Sequence, residues 1–426
     1  MVGPLIKRTL QLSGLWLASA LLITGCSGNS FLAQGGTGNI AQQVWEIVNK
    51  DYVDGTFNNQ DWQAVRDRFT KQPTKTPEQS YENVRKMLET LGDPYTRFLD
   101  PEQYKALQTS TTGELSGVGL QIGLDNDSKR IVVISPIDGT PAARAGIKAR
   151  DFIVQVDGKP TKNLTLDQVA NLLRGRKGSK VTLVMERDKN EFNVTLQRDR
   201  IEIDPVVAAI KEDKGFKVGY ARLSTFNANA VDKMRKAIQE EKDKGVDGYI
   251  MDLRANPGGL LTAGIDIARL WLDKDQVIIK TVSRQGTQDV IRSDRSSLTD
   301  KPLVVLVDGG TASASEILSG ALQDNKRATL VGAKTFGKGL IQQVYTLNNS
   351  EDAGIGIAVS IAKYQTPSGA DIHKKGIKPD VAEELSKDFT ADQIATSKDN
   401  QYAKALEVLE GKIAAQKISK QVVVGS

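Results

Sequence analysis

The sequence predicts a multidomain α/β protein, and three observations carry that prediction. Apolar residues recur at helical spacing from Ile40; residues 113 to 200 alternate between turn signals; and from residue 201 short apolar runs alternate with amphipathic stretches. That last pattern is expected of a sheet covered by helices, and 426 residues leave room for about two to three domains.

The elements follow in chain order. "IKRTLQLSGLWLASALLITGC" sets Lys7 and Arg8 before an apolar stretch that closes on Thr24-Gly25-Cys26. This is the anatomy of a secretory signal, too short and wrongly flanked for a stable membrane span. Cys26 is the only cysteine, and its place after Ile23-Thr24-Gly25 resembles a bacterial lipoprotein signal. The expectation is a leader over 1–26, lipidation of Cys26 and association with a membrane through that lipid; an ordinary signal cut near Ala33 is the alternative. Residues 27–39, rich in Gly, Ser and Asn, read as a tether.

A helical segment is expected over 40–105. Ile40, Val44, Ile47 and Val48 share one helical face, and "TPEQSYENVRKMLETLG" offers Thr76 as cap with Pro77 in the first turn. Residues 106–200 read as β-rich, with "DFIVQVDGKP" as a strand and Asp157-Gly158 turn, "KVTLVMERDKNEFNVTL" as a hairpin, and "TPAARAG" and "TLDQVANLLRG" as short helices. This order, opened by "SGVGL", resembles a PDZ domain. The resemblance implies that the backbone N–H groups of Gly117, Val118, Gly119 and Leu120 bind a terminal carboxylate while the peptide adds to the sheet as a strand. Over 201–385, "KVGYARLSTF", "GYIMDLRA", "PLVVLVDG" and "RATLVGA" read as buried strands, and 386–426 as a largely helical tail.

Composition excludes several chemistries. One histidine, His373, and one cysteine cannot build a Cys-rich zinc site from the chain's own side chains, and no cofactor is expected. Positive charge is interspersed rather than gathered into a stripe, which argues against a nucleic-acid partner.

What remains are loops at strand ends. Ser313-Ala314-Ser315-Glu316 has the spacing of a capping box, yet a serine at a strand-to-helix corner is also where a nucleophile and an oxyanion site are built together. Downstream, "GAKTFGKG" is a P-loop apart from its last position, where Gly339 replaces the Ser/Thr that would hold magnesium. Lys338 in that segment is the alternative to histidine as a base. Only about one free lysine in 2,500 is neutral at pH 7, so it must be desolvated to act. His373 lies in a polar turn beside two lysines, where an exposed position is expected.

"NPGGL" at 256–260, "GTASASEILSGALQD" at 310–324, "TFGKGLIQ" at 335–342 and "GIKPDV" at 376–381, with the PDZ-like segment upstream, resemble the carboxyl-terminal processing peptidases. The resemblance implies an exported serine endopeptidase, periplasmic or thylakoid-lumenal, built on a Clp-protease/crotonase-like α/β core with an inserted PDZ domain. It makes Ser313 the nucleophile and Lys338 the general base, with Gln342 orienting the lysine and Glu316 assisting or capping. It makes Asp324 a third relay member, although a helix places that residue about 16 Å along the axis from Ser313. It implies oxyanion donors at Ala314 and Gly259 and a gating role for Arg174, whose plain reading is a solvated helix end. Substrates would be proteins with accessible C-termini; in a photosynthetic host one would be a photosystem II reaction-centre precursor. An inactive peptide-binding scaffold is the alternative from another class.

Overall fold

The computed structural model describes Leu21–Leu22 and residues 40–424, apart from 126–127, 138, 203 and 348–353. Cys26 and the tether at 27–39 lie outside the described residues. Among those described, no helix is long and apolar enough to cross a membrane. The chain divides into two compact units, one of residues 1–111 with 205–426 and the other of 112–204.

After the two-residue strand Leu21–Leu22, the first unit holds helices α1 (Ile40–Asp51), α2 (Trp62–Thr70) and α3 (Pro77–Glu89), then strand β1 (Arg97–Leu99) and helix α4 (Pro101–Thr112). Asp61 caps α2 and Thr76 caps α3 through their side-chain oxygens, satisfying N–H groups that a helix start leaves unpaired. The inward faces of α1–α3 form one apolar cluster, in which Trp45 and Trp62 stack with their ring centroids 6.4 Å apart. Helix α4 runs across the boundary expected at residue 105.

The second unit holds β2 (Glu114–Gly117), β3 (Leu120–Leu124), β4 (Ile131–Pro136), α5 (Pro141–Arg144), β5 (Phe152–Val156), β6 (Lys159–Pro160), α6 (Leu166–Leu173), β7 (Lys180–Arg187), β8 (Asn190–Gln197) and β9 (Asp199–Glu202). Strands β3-β4-β5-β7-β8 form an antiparallel sheet around its own core. β2 and β9, at its two ends, pair antiparallel, so the chain enters and leaves side by side.

The first unit resumes with β10 (Val206–Asp213), β11 (Phe216–Leu223), α7 (Ala230–Asp243), β12 (Gly248–Asp252), α8 (Leu261–Trp271), β13 (Val277–Ser283), β14 (Gln288–Arg292), β15 (Leu303–Val307), α9 (Ala314–Asp324), β16 (Ala328–Gly332), β17 (Leu340–Leu347), β18 (Ile355–Gln365), β19 (Val381–Ala382) and α10 (Asn400–Val424). Its main sheet runs β10-β11-β12-β15-β16-β19, parallel from β11 onward. Side-chain alternation divides the core: Tyr249 and Met251 face α7, α8 and α9, whereas Ile250 faces α10 with Tyr402, Ala405 and Leu409. The tail helix is therefore the cover of one sheet face. A second sheet, β17-β18-β13-β14 with β1 beside β18, carries the segment after Lys338.

Candidate active site

The loop after β15 turns into α9 at Ser313, with φ 60° and ψ −117°. Such a conformation is costly for a residue with a Cβ, on the order of 1–3 kcal/mol, and persists where the surroundings impose it. The imposing group is Glu316. Its Oε2 accepts the N–H of Ser313 at 2.9 Å and of Lys338 at 2.9 Å, while Oε1 accepts the N–H of Gly337 at 2.7 Å and the Thr335 hydroxyl at 2.6 Å. One fully buried carboxylate thus ties the serine backbone to the lysine backbone. Burial pushes its pKa above the usual range, against four bonds that hold it down. Of the capping box only the carboxylate half forms: the Glu316 N–H goes to the Ser313 carbonyl, and Ser313 Oγ is buried with no hydrogen-bond partner.

Lys338 is 1% exposed, and burial is the main cause that lowers its pKa from 10.5 to about 7, with nearby Arg97 acting in the same direction. Nζ donates to Gln342 Oε1 at 2.7 Å and lies 4.9 Å from the centroid of the Tyr95 ring. The Gln342 amide nitrogen is spent on the Tyr95 carbonyl, which leaves its oxygen turned to the lysine. The segment at 332–339 leads into strand β17 and not into a helix, so the P-loop reading fails on its structural context.

The turn after β12 completes the site. A Cβ built on Gly258, where φ is 99°, would lie 2.9 Å from Ser313 Cβ and 3.0 Å from Ala314 N; one on Gly259, at φ 146°, would lie 2.4 Å from Phe226 O. Both positions therefore need glycine, and the turn rests directly on the serine. The Gly258 N–H donates to Asn256 Oδ1 and the Leu260 N–H to Phe226 O, which takes both neighbours of the Gly259 N–H out of use. Ala314, at the first position of α9, has no intrahelical acceptor for its N–H. The arrangement can offer a buried hydroxyl, an amine of near-neutral pKa and two backbone donors to an acyl group.

Asp324 stands at the other end of α9, where its carboxylate accepts the Ser368 N–H at 2.8 Å; it is not brought to the serine–lysine cluster. His373 departs from the exposed position expected of it. It is half-buried, its backbone would meet a Cβ on Gly339 at 2.8 Å, and burial, aided by Lys374, lowers its pKa. The turn that looked polar in sequence packs its backbone against the Lys338 segment.

Sequence reasoning missed three residues that organise this site. Tyr364 is fully buried, and its hydroxyl bridges the carbonyls of Ser313 and Lys338. Asn256 holds Leu223 O with its amide nitrogen and receives Ala312 N–H and the Ser315 hydroxyl on its carbonyl. Tyr95 supports both Gln342 and Lys338. Their roles run through partners distant in sequence, so no local pattern signals them; only Asn256, within "NPGGL", lay in a motif already under scrutiny.

In the second unit, Val118 and Gly119 form a two-residue link between β2, which ends at Gly117, and β3, which starts at Leu120. Val118 O accepts the Ala142 N–H, and Gly119 O accepts the Ile137 N–H, each at 2.9 Å. Gly119 has φ 79°, and a Cβ there would meet Thr140 at 2.3 Å. Helix α6 begins with a complete capping box between Thr165 and Gln168. Arg174, beyond its end, is exposed and donates to Asn171. Among the described residues no group of three or more His, Cys, Asp or Glu side chains is placed to hold a metal ion.

Residues 217–383 match the family model of peptidase family S41, and residues 132–187 that of a PDZ domain. The chain is 46% identical to a carboxyl-terminal-processing protease of Synechocystis over 97% of its own length and 96% of the relative's. It is 41% identical to the chloroplastic carboxyl-terminal-processing peptidase 2 of Arabidopsis thaliana, over 83% of this chain and 70% of that one. Among solved structures it resembles a photosystem II D1 C-terminal processing protease, with a TM-score of 0.54 and 40% identity over 82% of this chain and 94% of that one.

Proposed function

The chain belongs to peptidase family S41, among the carboxyl-terminal-processing serine proteases, and from that premise we propose that Ser313 and Lys338 are its nucleophile and general base. The observation that carries this reading is the burial of Lys338, which brings its pKa to about 7 while Glu316 holds its backbone and that of Ser313 on one carboxylate. Neutral Lys338 takes the hydroxyl proton as Ser313 Oγ attacks the scissile carbonyl carbon. The N–H groups of Gly259 and Ala314 receive the oxyanion. The lysine ammonium then gives its proton to the leaving amine, and a water molecule deprotonated by Lys338 releases the acyl group and restores the serine. Gln342 aims the amine. Glu316, whose four partners are backbone N–H groups and a threonine, positions both residues without touching the reacting atoms.

The unit at 112–204 is proposed to select substrates: the N–H groups of the Gly117–Leu120 segment receive a C-terminal carboxylate, and the peptide lies along β3. Similarity to a D1 processing protease makes the D1 precursor tail the proposed substrate in a photosynthetic host. The leader reading places the enzyme outside the cytoplasm, in the periplasm or thylakoid lumen, with Cys26 as a lipid anchor.

Ser313→Ala and Lys338→Ala should each abolish cleavage of a D1-tail peptide, scored by mass spectrometry of the new C-terminus, with unchanged melting of the serine variant. His373→Gln should keep most activity. Loss that follows His373 and spares Lys338 overturns the dyad. Binding of the peptide by the wild-type protein without turnover would favour the inactive scaffold.

A further inference from the structure

Arg254 joins the end of β12 to the glycine turn, and its guanidinium is closed in on every side. Nε and Nη2 donate to Asp252 at 3.0 and 2.7 Å, Nη1 and Nη2 donate to the two oxygens of Asp399 at 2.9 and 2.7 Å, and Nη1 also reaches Gln401 Oε1 at 3.2 Å. All the donors of the fork are in use. Asp252, Asp399 and Gln401 are each 0% exposed, and Tyr220 donates its hydroxyl to the remaining side of Asp252.

Asp399 is also the residue before α10. Its carboxylate accepts the N–H groups of Tyr402 and Ala395, both at 3.0 Å, so one side chain starts the tail helix and grips the arginine. Buried ion pairs of this kind are weak contributors to net stability, since apolar replacements of similar volume serve as well. Their geometric consequence is definite here. The residue after Arg254, Ala255, is held at φ 54°, with its N–H on Asp308 Oδ1 at 2.9 Å, and the chain then enters Asn256, whose side chain orients Gly258. A non-glycine residue in that conformation needs its flanks fixed. Asp308 fixes one and the Arg254 latch fixes the other.

We propose that Asp399 is a positioning residue of the acyl-transfer site, acting through Arg254 to hold the turn that presents the Gly259 N–H to the oxyanion; this rests on the reading of Ser313, Gly259 and Ala314 given above. The tail helix is on this account a part of the catalytic apparatus that reaches it from the opposite face of the sheet.

The test compares full-length Asp399→Asn, Gln401→Met and Leu409→Ala with wild type and Ser313→Ala, measuring kcat and KM on a D1-tail peptide together with melting temperature. Asp399→Asn should lower kcat on the order of tenfold to a hundredfold with KM unchanged, the signature of a misplaced donor. Gln401→Met removes one of the arginine's bonds and should lower kcat less, again at constant KM. Leu409→Ala loosens the same helix without touching Arg254 and should lower the melting temperature at unchanged kcat. Wild-type kcat in Asp399→Asn and Gln401→Met, or loss of kcat in all three variants in step with melting, overturns the proposal. Activity retained in Ser313→Ala overturns instead the reading on which it rests. If Asp399→Asn fails to fold, the kcat of Gln401→Met decides.

Discussion

A lysine enclosed as Lys338 is costs the fold something, and the sign of that cost is testable. Its folded pKa of about 7 lies below the ~10.4 of an unfolded lysine, so the unfolded chain binds the proton more tightly. The penalty is therefore fully present below pH ~7 and is relieved as pH rises toward ~10.4. Lys338→Met should melt higher than wild type at pH 6, with the gap closing toward pH 10, while lacking all activity; calorimetry across that range decides. In the wild type the same titration should make kcat/KM rise with pH to half its maximum near 7, because only the neutral amine is a base. At this scale the candidate serine and lysine were legible in sequence, since each sits in a short segment with glycine or small neighbours. Tyr364 and Tyr95 were not: the Tyr364 hydroxyl reaches the carbonyls of Ser313 and Lys338, while Tyr95 offers its own carbonyl to Gln342 and its ring to Lys338, all partners far away along the chain.

At the scale of elements, the glycine turn and the start of α9 behave as one interlocked piece. Gly258→Ala should abolish turnover, since its Cβ would contact Ser313 Cβ and Ala314 N at 3.0 Å or less. Labelling of Ser313 by a serine-reactive phosphonate should fall with it; normal labelling and turnover would show that the turn can shift. Glu316→Gln should cost about 2–4 kcal/mol in urea unfolding, because an amide offers one acceptor oxygen where four donors converge. The four strands read as apolar runs are indeed the parallel centre of the main sheet, β11, β12, β15 and β16. The second sheet escaped notice for a physical reason. In β18, Gly356, Ala358 and Ser360 put small side chains opposite Ile355, Ile357 and Val359, and the Tyr104 ring lies against Gly356, so the alternation is one of size rather than polarity.

At the scale of the molecule, a buried acid sets the response to alkali. Glu241 on α7 is 3% exposed, neither of its oxygens is hydrogen-bonded, and burial raises its pKa to about 8. The folded form holds this proton more tightly than the unfolded chain, whose glutamates titrate near ~4.3, so the stability it confers is lost as pH climbs from ~4.3 through about 8. Glu241→Gln should flatten the fall of unfolding free energy between pH 5 and 7, below the range in which Lys338 titrates. An unchanged slope would show that water or local opening already solvates the carboxylate.

That measurement can be made selectively because of where the aromatic residues fall. Trp45 and Trp62 stack among the first helices and Trp271, the last residue of α8, is buried in the core, whereas the sequence from 112 to 204 contains neither tryptophan nor tyrosine. Excitation at the tryptophan band thus watches the catalytic unit alone, while circular dichroism sums both units. A melt in which the two signals part company reads the peptide-selecting unit by difference, as a spectroscopically dark module carried inside a bright one.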